Sequence, residues 1–525
     1  MQPIVATLAL LVGIRGLANV LVPQLTEFRN PTLITLGSRS VLGLPLVVII
    51  AAALTAVVAF VVKRTIFGRQ LVAVGGNRAA AKLSGLPVRR ILVTVYVLSG
   101  LLAAVAGVLA TARLQASDPT SLGLLMELSA ITAVVVGGTP LTGGRVRVLG
   151  TVMGALLIQL LQATLIKHNL PQSWTQMVQA VIILAAVYAA RGGSNDHHSR
   201  HGVGAGRARQ GERASQILQH HGALMVLAAT VLVGGIAFDS FATPQNAANI
   251  AVSSSFIAII AIGMTFVIVS GGIDLSVGSS FVLAGVLAAY GSRYGVLVAL
   301  LLPLAVCGTI GLLQGLIIAR TGMAPFIVTL AGLLGMRGLM LAVSGEGANT
   351  YLVEDDAFAA LGQASLFNLT VPVYITLGLF ALGAILLQRT GFGQSVYAIG
   401  GNEEAAALMG VPVARVKTLV YLISGLLAGL AGALNAARLS SGVTILGVGL
   451  ELDVIAAVVI GGTLLTGGAG GLTGTMAGVL LLGVIQSLIN QVGTLTSSFQ
   501  QVVSGAFLAL VVVVQRVLHR AQRLS

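Results

Sequence analysis

Asp274 with Ser276, Glu127, Glu451 with Asp453, Asn435, and the arginines Arg15 and Arg337 are polar side chains set inside long apolar runs. A polar group there is costly unless it faces a bundle interior or a wet cavity. Two uses fit these residue types. Their hydroxyls, amides and carboxylates could line a path for a polar solute, or each could close an ion pair or cap a helix near the membrane surface. Asp274 sits in a Gly-Gly turn, which suits a cap. Arg337 has a counterpart in Arg15, which suits a structural role, whereas Asn435 matches Ala110 and suits the path better.

Covalent chemistry has no comparable set. No nucleophile–base pair can be assigned, and His168 and His519 are isolated. Five of the seven histidines (His197, His198, His201, His220, His221) share one polar stretch. Histidine-rich tracts do bind metal, but a solvated junction is the expected reading, so no catalytic residue and no metal ligand is assigned. The phosphate-binding pattern Gly-x-x-x-x-Gly-Lys-Ser/Thr is missing: the one Lys-Thr pair, Lys417-Thr418, follows Val416 where glycine is required. The chain does not hydrolyse ATP by that route and needs no cofactor of its own.

These residues are positioned by apolar segments. Of 525 residues 56% are hydrophobic and 8% charged, with mean hydropathy +0.99, against about 25% charged in soluble domains. Runs of about 20 apolar residues occur near 3–22, 43–62, 89–111, 125–140, 148–166 and 174–190, then near 222–238, 250–270, 278–290, 294–319, 324–344, 369–388, 414–436, 450–466, 472–493 and 499–516. The expected fold is therefore all-α and polytopic, with about 16 transmembrane helices divided about 6 + 10. The runs at 125–140, 278–290 and 450–466 are short and glycine-rich, as broken or re-entrant segments are. Gly150/Gly154, Gly311/Gly315, Gly425/Gly429 and Gly474/Gly478 form small-xxx-small pairs, which let helix backbones approach. The single Cys307 excludes an intrachain disulfide.

The net charge of +14 lies in short loops, as the positive-inside bias requires. Without base-stacking aromatics beside it, it does not indicate nucleic acid. One loop carries Lys63, Arg64, Arg69, Arg78, Lys82, Arg89 and Arg90; another carries Arg389, Arg415 and Lys417; the tail carries Arg516, Arg520 and Arg523. The segment 345–368 holds Glu346, Glu354, Asp355 and Asp356 without Lys or Arg. Counting spans places both basic loops and both termini in the cytoplasm and the acidic segment outside. The first residues, Met1-Gln2-Pro3-Ile4, carry no basic n-region of a signal peptide.

The two basic loops are copies. Phe67 to Asn77 and Phe392 to Asn402 agree at 6 of 11 positions, and 127–139 and 451–463 at 9 of 13. Between them lie Gly85-Leu86-Pro87-Val88 and Gly410-Val411-Pro412-Val413. Upstream, Pro3 to Ala9 and Arg15-Gly16-Leu17 align with Pro325 to Ala331 and Arg337-Gly338-Leu339. The expected organisation is a first copy at 1–190, lacking counterparts of the spans at 222–319 and read as truncated at its N-terminus; a flexible Arg/Gly/Ser/His linker at 191–221; and a complete second copy at 222–525.

Together with Gly271-Gly272-Ile273-Asp274-Leu275-Ser276-Val277-Gly278, the repeated loops resemble the permease subunits of ATP-binding-cassette (ABC) sugar importers of the ribose, xylose and galactofuranose type. The run from Gly447 to Ala457 looks most like a galactofuranose permease. The resemblance implies two permeases fused in tandem in a bacterial cytoplasmic (inner) membrane. It implies separate ABC ATPase subunits, an extracytoplasmic sugar-binding protein and a possible second permease copy as partners, and a path for a monosaccharide. The repeated loops resemble the segment that couples to the ATPase. Asn77 and Asn402 can cap a short helix, Ala80 and Ala406 lie in alanine runs that permit close approach, and Gly85, Pro87, Gly410 and Pro412 end that helix. Gly76, Gly401 and Glu403 complete the coupling set. The path set is Asp274, Ser276, Asn435, Glu451, Asp453 and Glu127.

An ion-coupled secondary transporter is the alternative, but its repeats are commonly inverted, while these are parallel. A permease for a branched-chain amino acid or nucleoside, and a membrane-embedded enzyme, are further alternatives. Arg78 follows Asn77 where Glu403 and Glu404 follow Asn402, so the two loops are expected to meet non-identical ATPase surfaces. Exchanging residues 77–82 with 402–407 should then impair ATPase binding and transport; unchanged binding and transport would refute the distinction.

Overall fold

The computed structural model describes residues 3–22, 24–41, 43–119, 122–124, 126–140, 143–191, 212–491, 499, 502–503 and 505–506. Helices account for nearly all the ordered structure. The first copy contains α1 (Pro3–Leu21), α2 (Pro31–Ser38), α3 (Leu46–Arg64), α4 (Ile66–Gly76), α5 (Arg78–Leu83), α6 (Val88–Leu114), α7 (Met126–Val136), α8 (Val148–Lys167) and α9 (Gln172–Arg191). The second contains α10 (Glu212–Ala237), α11 (Pro244–Val269), α12 (Val277–Ser292), α13 (Val296–Thr321), α14 (Pro325–Val343), α15 (Asp356–Gln363), α16 (Val371–Arg389), α17 (Gly391–Gly401), α18 (Glu403–Leu408), α19 (Val413–Leu439), α20 (Leu450–Ile460) and α21 (Leu472–Gln491).

Every apolar run expected before residue 494 coincides with one of these helices, because apolar length alone specifies a span. Residues 499, 502–503 and 505–506 of the last run are helical, and its remainder lies outside the described residues. Among the described residues nine helices are long and apolar enough to cross a membrane. The chain is an all-α, polytopic membrane protein. The three runs singled out as short are α7 and α20, of 11 residues each, and α12, of 16. At about 1.5 Å per residue, 11 residues reach roughly half of a ~30 Å hydrocarbon core. Residues 212–221, assigned from their polarity to a flexible linker, are helical as the first turns of α10; residues 192–211, with His197, His198 and His201, lie outside the described residues.

Contacts divide the chain into two compact units. One comprises residues 1–16, 165–188 and 194–525; the other comprises 17–164 and 189–193. The core of the larger unit is α11, whose apolar window is 89% buried, surrounded by α16, α19, α20 and α21. Thr243 caps α11, its Oγ1 accepting the Asn246 N–H at 3.3 Å, and Pro244 occupies the first turn where no N–H is needed.

The most extensive helix packing is between α13 and α19. A Cβ on Gly425 would overlap the Cys307 carbonyl, one on Gly311 the Tyr421 carbonyl, and one on Gly315 would lie 2.7 Å from Thr418 Cα. Gly311 and Gly425 therefore face one another, with Gly315 against Thr418 and Gly429 against Cys307 and Pro303. Phe358 of α15 packs on the C-terminal part of α19 with Ala433, Ala436 and Ala437, all at most 1% exposed.

The smaller unit repeats part of this scheme without α10 to α13. Gly37 of α2 abuts Ala112 of α6, as Gly362 of α15 abuts Ala437 and Arg438 of α19. Thr26–Glu27 pairs with 116–117 as Tyr351–Leu352 pairs with 441–442. The window of α6 is 6% buried where that of α19 is 61%, since nothing in the smaller unit stands where α11, α12 and α13 cover α19.

Substituting Gly425 by leucine should separate α13 from α19 and destabilise the larger unit by about 1–3 kcal/mol. The lone, fully buried Cys307 supplies the readout: thiol labelling should begin at a lower temperature than in the parent. Gly378→Ala, at a glycine with open space beside it, should label as the parent does.

Candidate functional site

Each repeated loop folds into the same helix–cap–helix element. In the second copy Asn402 ends α17, its N–H donating to the Ala398 carbonyl at 3.0 Å, and starts α18, its Oδ1 accepting the Ala405 N–H at 3.0 Å. In the first, Asn77 links α4 to α5 identically, with Oδ1 accepting the Ala80 N–H at 2.9 Å. One asparagine thus satisfies orphan groups of two helices and sets the angle between them. Gly85 and Gly410, at φ +77 and +84, turn the chain in the left-handed region open to glycine. Pro87 and Pro412 then precede α6 and α19.

The alanine runs are split between inside and outside. Ala81 and Ala406 are buried at 5% and 1%, packing the short helix onto its own unit, so Ala406 offers no surface to a partner. Ala80, one residue before the equivalent position, is exposed. A helix rotates about 100° per residue, so adjacent alanines cannot share a face. What stands outward is apolar: Leu83 is 89% exposed, its equivalent Leu408 90% and Met409 76%. Composition did not single these out; their signal is a large apolar residue in the last turn of a short helix within a polar loop.

Gly76 and Gly401 close α4 and α17, but the strict close approach is one residue earlier. A Cβ on Gly75 would lie 2.9 Å from the Gly144 N, and one on Gly400 would overlap the Val269 carbonyl. The loop after each Gly-Gly-Thr is thereby seated against the helix–cap–helix element. In the second copy the Gly468 N–H also donates to the Val269 carbonyl at 2.8 Å, and the Tyr397 hydroxyl to the Gly470 carbonyl at 2.7 Å.

The two elements differ in charge. Beside the first lies an open groove of about 1020 Å³ bordered by Arg78, Lys82, Arg89, Arg90 and Tyr96. In the second, Glu403 replaces Arg78 and accepts from Lys417 Nζ at 2.6 Å, and Ala407 and Ala414 replace Lys82 and Arg89. The Glu403 side chain is 54% exposed, so the pair contributes little stability and chiefly sets the sign of the local field.

The polar residues assigned to a path do not converge. Asp274 and Ser276, both 2% exposed, belong to a buried knot. Asp274 Oδ1 accepts from Ser276 N at 2.9 Å and Ser276 Oγ at 2.5 Å, and Oδ2 accepts from Ser424 Oγ at 2.7 Å. The carboxylate ties the α11–α12 turn to α19 next to the Gly425 contact. Glu451 is buried beside Gly278. Asp453 lines a separate cavity of about 10 Å³ with Ser253, Ser254 and Gln486, room for a single water. Glu127, the equivalent of Glu451, is exposed, because the first copy has no α12 to cover it. Asn435, partly buried in α19, makes no side-chain hydrogen bond among the described residues.

Comparison with known proteins gives one family. The model of the "Branched-chain amino acid transport system / permease component" family matches residues 1–187 and again 246–512. A ribose import permease protein, RbsC, of Bacillus subtilis strain 168 is 39% identical over 302 residues, covering 57% of this chain and 94% of that protein. An L-arabinose transport system permease protein, AraH, of Escherichia coli K12 is 36% identical over 328 residues, covering 61% and 97%. An inner membrane ABC transporter permease protein, YjfF, of the same strain is 40% identical over 289 residues, covering 53% and 86%. No solved structure matches.

Asp274→Ala leaves the Ser276 and Ser424 hydroxyls without their acceptor in a buried site. It should cost roughly 1–3 kcal/mol, read as earlier thermal exposure of Cys307. Asn435→Ala should leave that transition within about 0.5 kcal/mol of the parent and lower solute uptake by membrane vesicles. Unaltered uptake and basal ATPase activity would remove Asn435 from the path.

Proposed function

Because this chain belongs to the permease-component family of branched-chain amino acid transport systems, we propose that it is the membrane permease of an ABC importer that carries a monosaccharide, with a pentose as the first candidate. The observation that carries the reading is the twice-built helix–cap–helix element, each ending in an exposed apolar tip beside a charged surface. The chain resembles ribose and arabinose permeases over nearly their full lengths, which supports a five-carbon sugar over an amino acid.

In this reading the chain contributes path and coupling, and a separate ABC ATPase hydrolyses ATP; the chain itself holds no cofactor. Leu83, Leu408 and Met409 enter grooves on the ATPase, where burying each would contribute about 1.5–3 kcal/mol. Asn77 and Asn402 hold the short helices rigid, so that ATPase motion is passed to α6 and α19 rather than lost in a loose loop. The basic groove of the first element and the Glu403–Lys417 pair of the second select different ATPase surfaces. Both elements and both termini face the cytoplasm of a bacterial cell, and an extracytoplasmic binding protein delivers the sugar. Gly76, Gly401, Gly85, Gly410, Pro87 and Pro412 serve the backbone geometry of this element, and Ala80 its outer face.

Vesicles carrying the chain with its ATPase and binding protein test the reading. Labelled ribose or arabinose should accumulate with ATP and stop when ATP is removed; accumulation that follows an ion gradient and ignores ATP would overturn it. The double substitution Leu408→Glu, Met409→Glu should lower ATPase co-purification about tenfold or more, 1.4 kcal/mol per factor of ten, while Cys307 stays protected. Undiminished co-purification would remove these tips from the contact.

A further inference from the structure

Three helices of the larger unit, α11, α20 and α21, meet around a carboxylate that has no counter-charge. Asp453 lies in the first turn of α20. Among the described residues its carboxylate accepts no hydrogen bond and forms no ion pair. None of the three helices carries a Lys, Arg or His, and the neighbouring acid, Glu451, lies against Gly278 of α12. A carboxylate drawn into a membrane bundle without a partner is costly, and a cation or a proton held beside it removes the cost.

The cavity of about 10 Å³ that Asp453 lines has Ser253, Ser254 and Gln486 as its other polar walls. Val479, Leu482, Gly483 and Gln486 reach it from one face of α21, at the i, i+3, i+4, i+7 spacing of a helix stripe. Ser254 is 5% exposed, and its Oγ is buried without a hydrogen-bond partner among the described residues. A helical serine commonly donates to the carbonyl one turn back, as Ser253 does to Asn249 at 2.8 Å. Ser254 forgoes that bond. Its hydroxyl lies instead against α21, where a Cβ on Gly483 would overlap it. Ser253 spends its proton on α11 and keeps its oxygen lone pairs, and the Gln486 side chain makes no hydrogen bond among the described residues.

The first copy does not repeat this arrangement. Ser129 stands at the position of Asp453 and Gln159 at that of Gly483. The glycine contacts between α7 and α8 nevertheless match those between α20 and α21, so Asp453 and Gly483 are not required to pack the two helices.

A carboxylate, two hydroxyls and an amide carbonyl are hard oxygen donors, the set that suits a hard cation. Calcium takes about six to eight oxygens, and magnesium keeps several waters of an octahedral shell; a space of one water accommodates neither. One carboxylate neutralises one positive charge. We propose that this cavity binds a dehydrated alkali-metal cation, with Asp453 as its counter-ion and Ser253, Ser254 and Gln486 as neutral ligands, tying α11, α20 and α21 together. The proposal does not rest on the transport reading, and its test measures no transport.

The full chain in detergent is heated in NaCl, KCl or choline chloride at one ionic strength, choline being too large for the cavity, and thiol labelling of Cys307 reports unfolding. Sodium should raise the labelling midpoint by about 2 °C or more at ten times its dissociation constant, and the purified chain should retain radioactive sodium. A shift produced by KCl and not by NaCl keeps the site and assigns it to potassium. Asp453→Asn keeps the side-chain shape and removes the charge. It should abolish the shift and the bound ion, and in choline chloride should label no earlier than the parent. Ser254→Ala should raise the cation concentration for half-effect several-fold. Equal midpoints in all three salts without bound sodium would overturn the proposal and leave a protonated Asp453 in its place. Cation binding undiminished by Asp453→Asn would overturn it as well.

Discussion

The approach of α13 to α19 over Gly311, Gly315, Gly425 and Gly429 is the constraint on which the larger unit depends. Inside a bilayer apolar side chains gain nothing by leaving lipid for protein, so helices associate through close van der Waals contact and a few polar ties. Glycines let the two backbones touch. Once they do, Ser424, next to Gly425, meets the Asp274 carboxylate and brings in the α11–α12 turn. Ala436 and Ala437, three turns further along α19, receive Phe358. At its other end α19 begins at Pro412, where the α17–α18 element is anchored. A displacement of α19 therefore has to carry the buried Asp274 knot and the exposed Leu408 tip together.

The repeat is conserved within the chain as contacts more than as residues. Gly137 meets Gly150 and Gly154 meets Ala133 between α7 and α8, just as Gly461 meets Gly474 and Gly478 meets Ala457 between α20 and α21. Gly75 meets Gly143 and Gly144 as Gly400 meets Gly467 and Gly468. Each pair is a place where the chain tolerates no Cβ, so the sequence at these sites is held by backbone distance. Between them the copies have diverged freely in side chains: Lys417 stands where Leu92 does, and Glu403 where Arg78 does. The geometry of the helix–cap–helix element is common to both copies, and its electrostatics belong to each alone.

This division explains what was legible beforehand. Spans follow from apolar length and close-packing glycine pairs such as Gly311/Gly315 and Gly425/Gly429 from spacing, but which helix each pair meets does not. Asn77 and Asn402 could be read as caps, since capping is a matter of a few adjacent residues. Facing could not. Whether Ala80 or Ala81 points outward depends on a 100° rotation that a run of alanines does not encode. Burial of the path residues could not be read either: Glu127 and Glu451 share a local sequence, and one is exposed and the other covered because of helices far away in the chain. The linker was misjudged at 212–221 for a related reason, since a polar composition does not forbid helix where an apolar helix follows and extends backward.

The same bookkeeping of hydrogen bonds limits where a sugar can be handled. A polyol offers many hydroxyls, and a membrane path must replace water at each with donors and acceptors that are not already engaged. Asp274 is fully committed to Ser276 and Ser424, and the cavity beside Asp453 holds at most one water. Among the described residues Asn435 makes no side-chain hydrogen bond, and Gln314 Nε2 and Thr463 Oγ1 are buried without a hydrogen-bond partner. Unsatisfied buried polar groups cost roughly 1–3 kcal/mol each. Gln314 and Tyr421 lie on α13 and α19, on either side of the glycine contact that fixes the bundle. A rearrangement of that one helix pair would have to move the Asp274 knot and the helix–cap–helix element together.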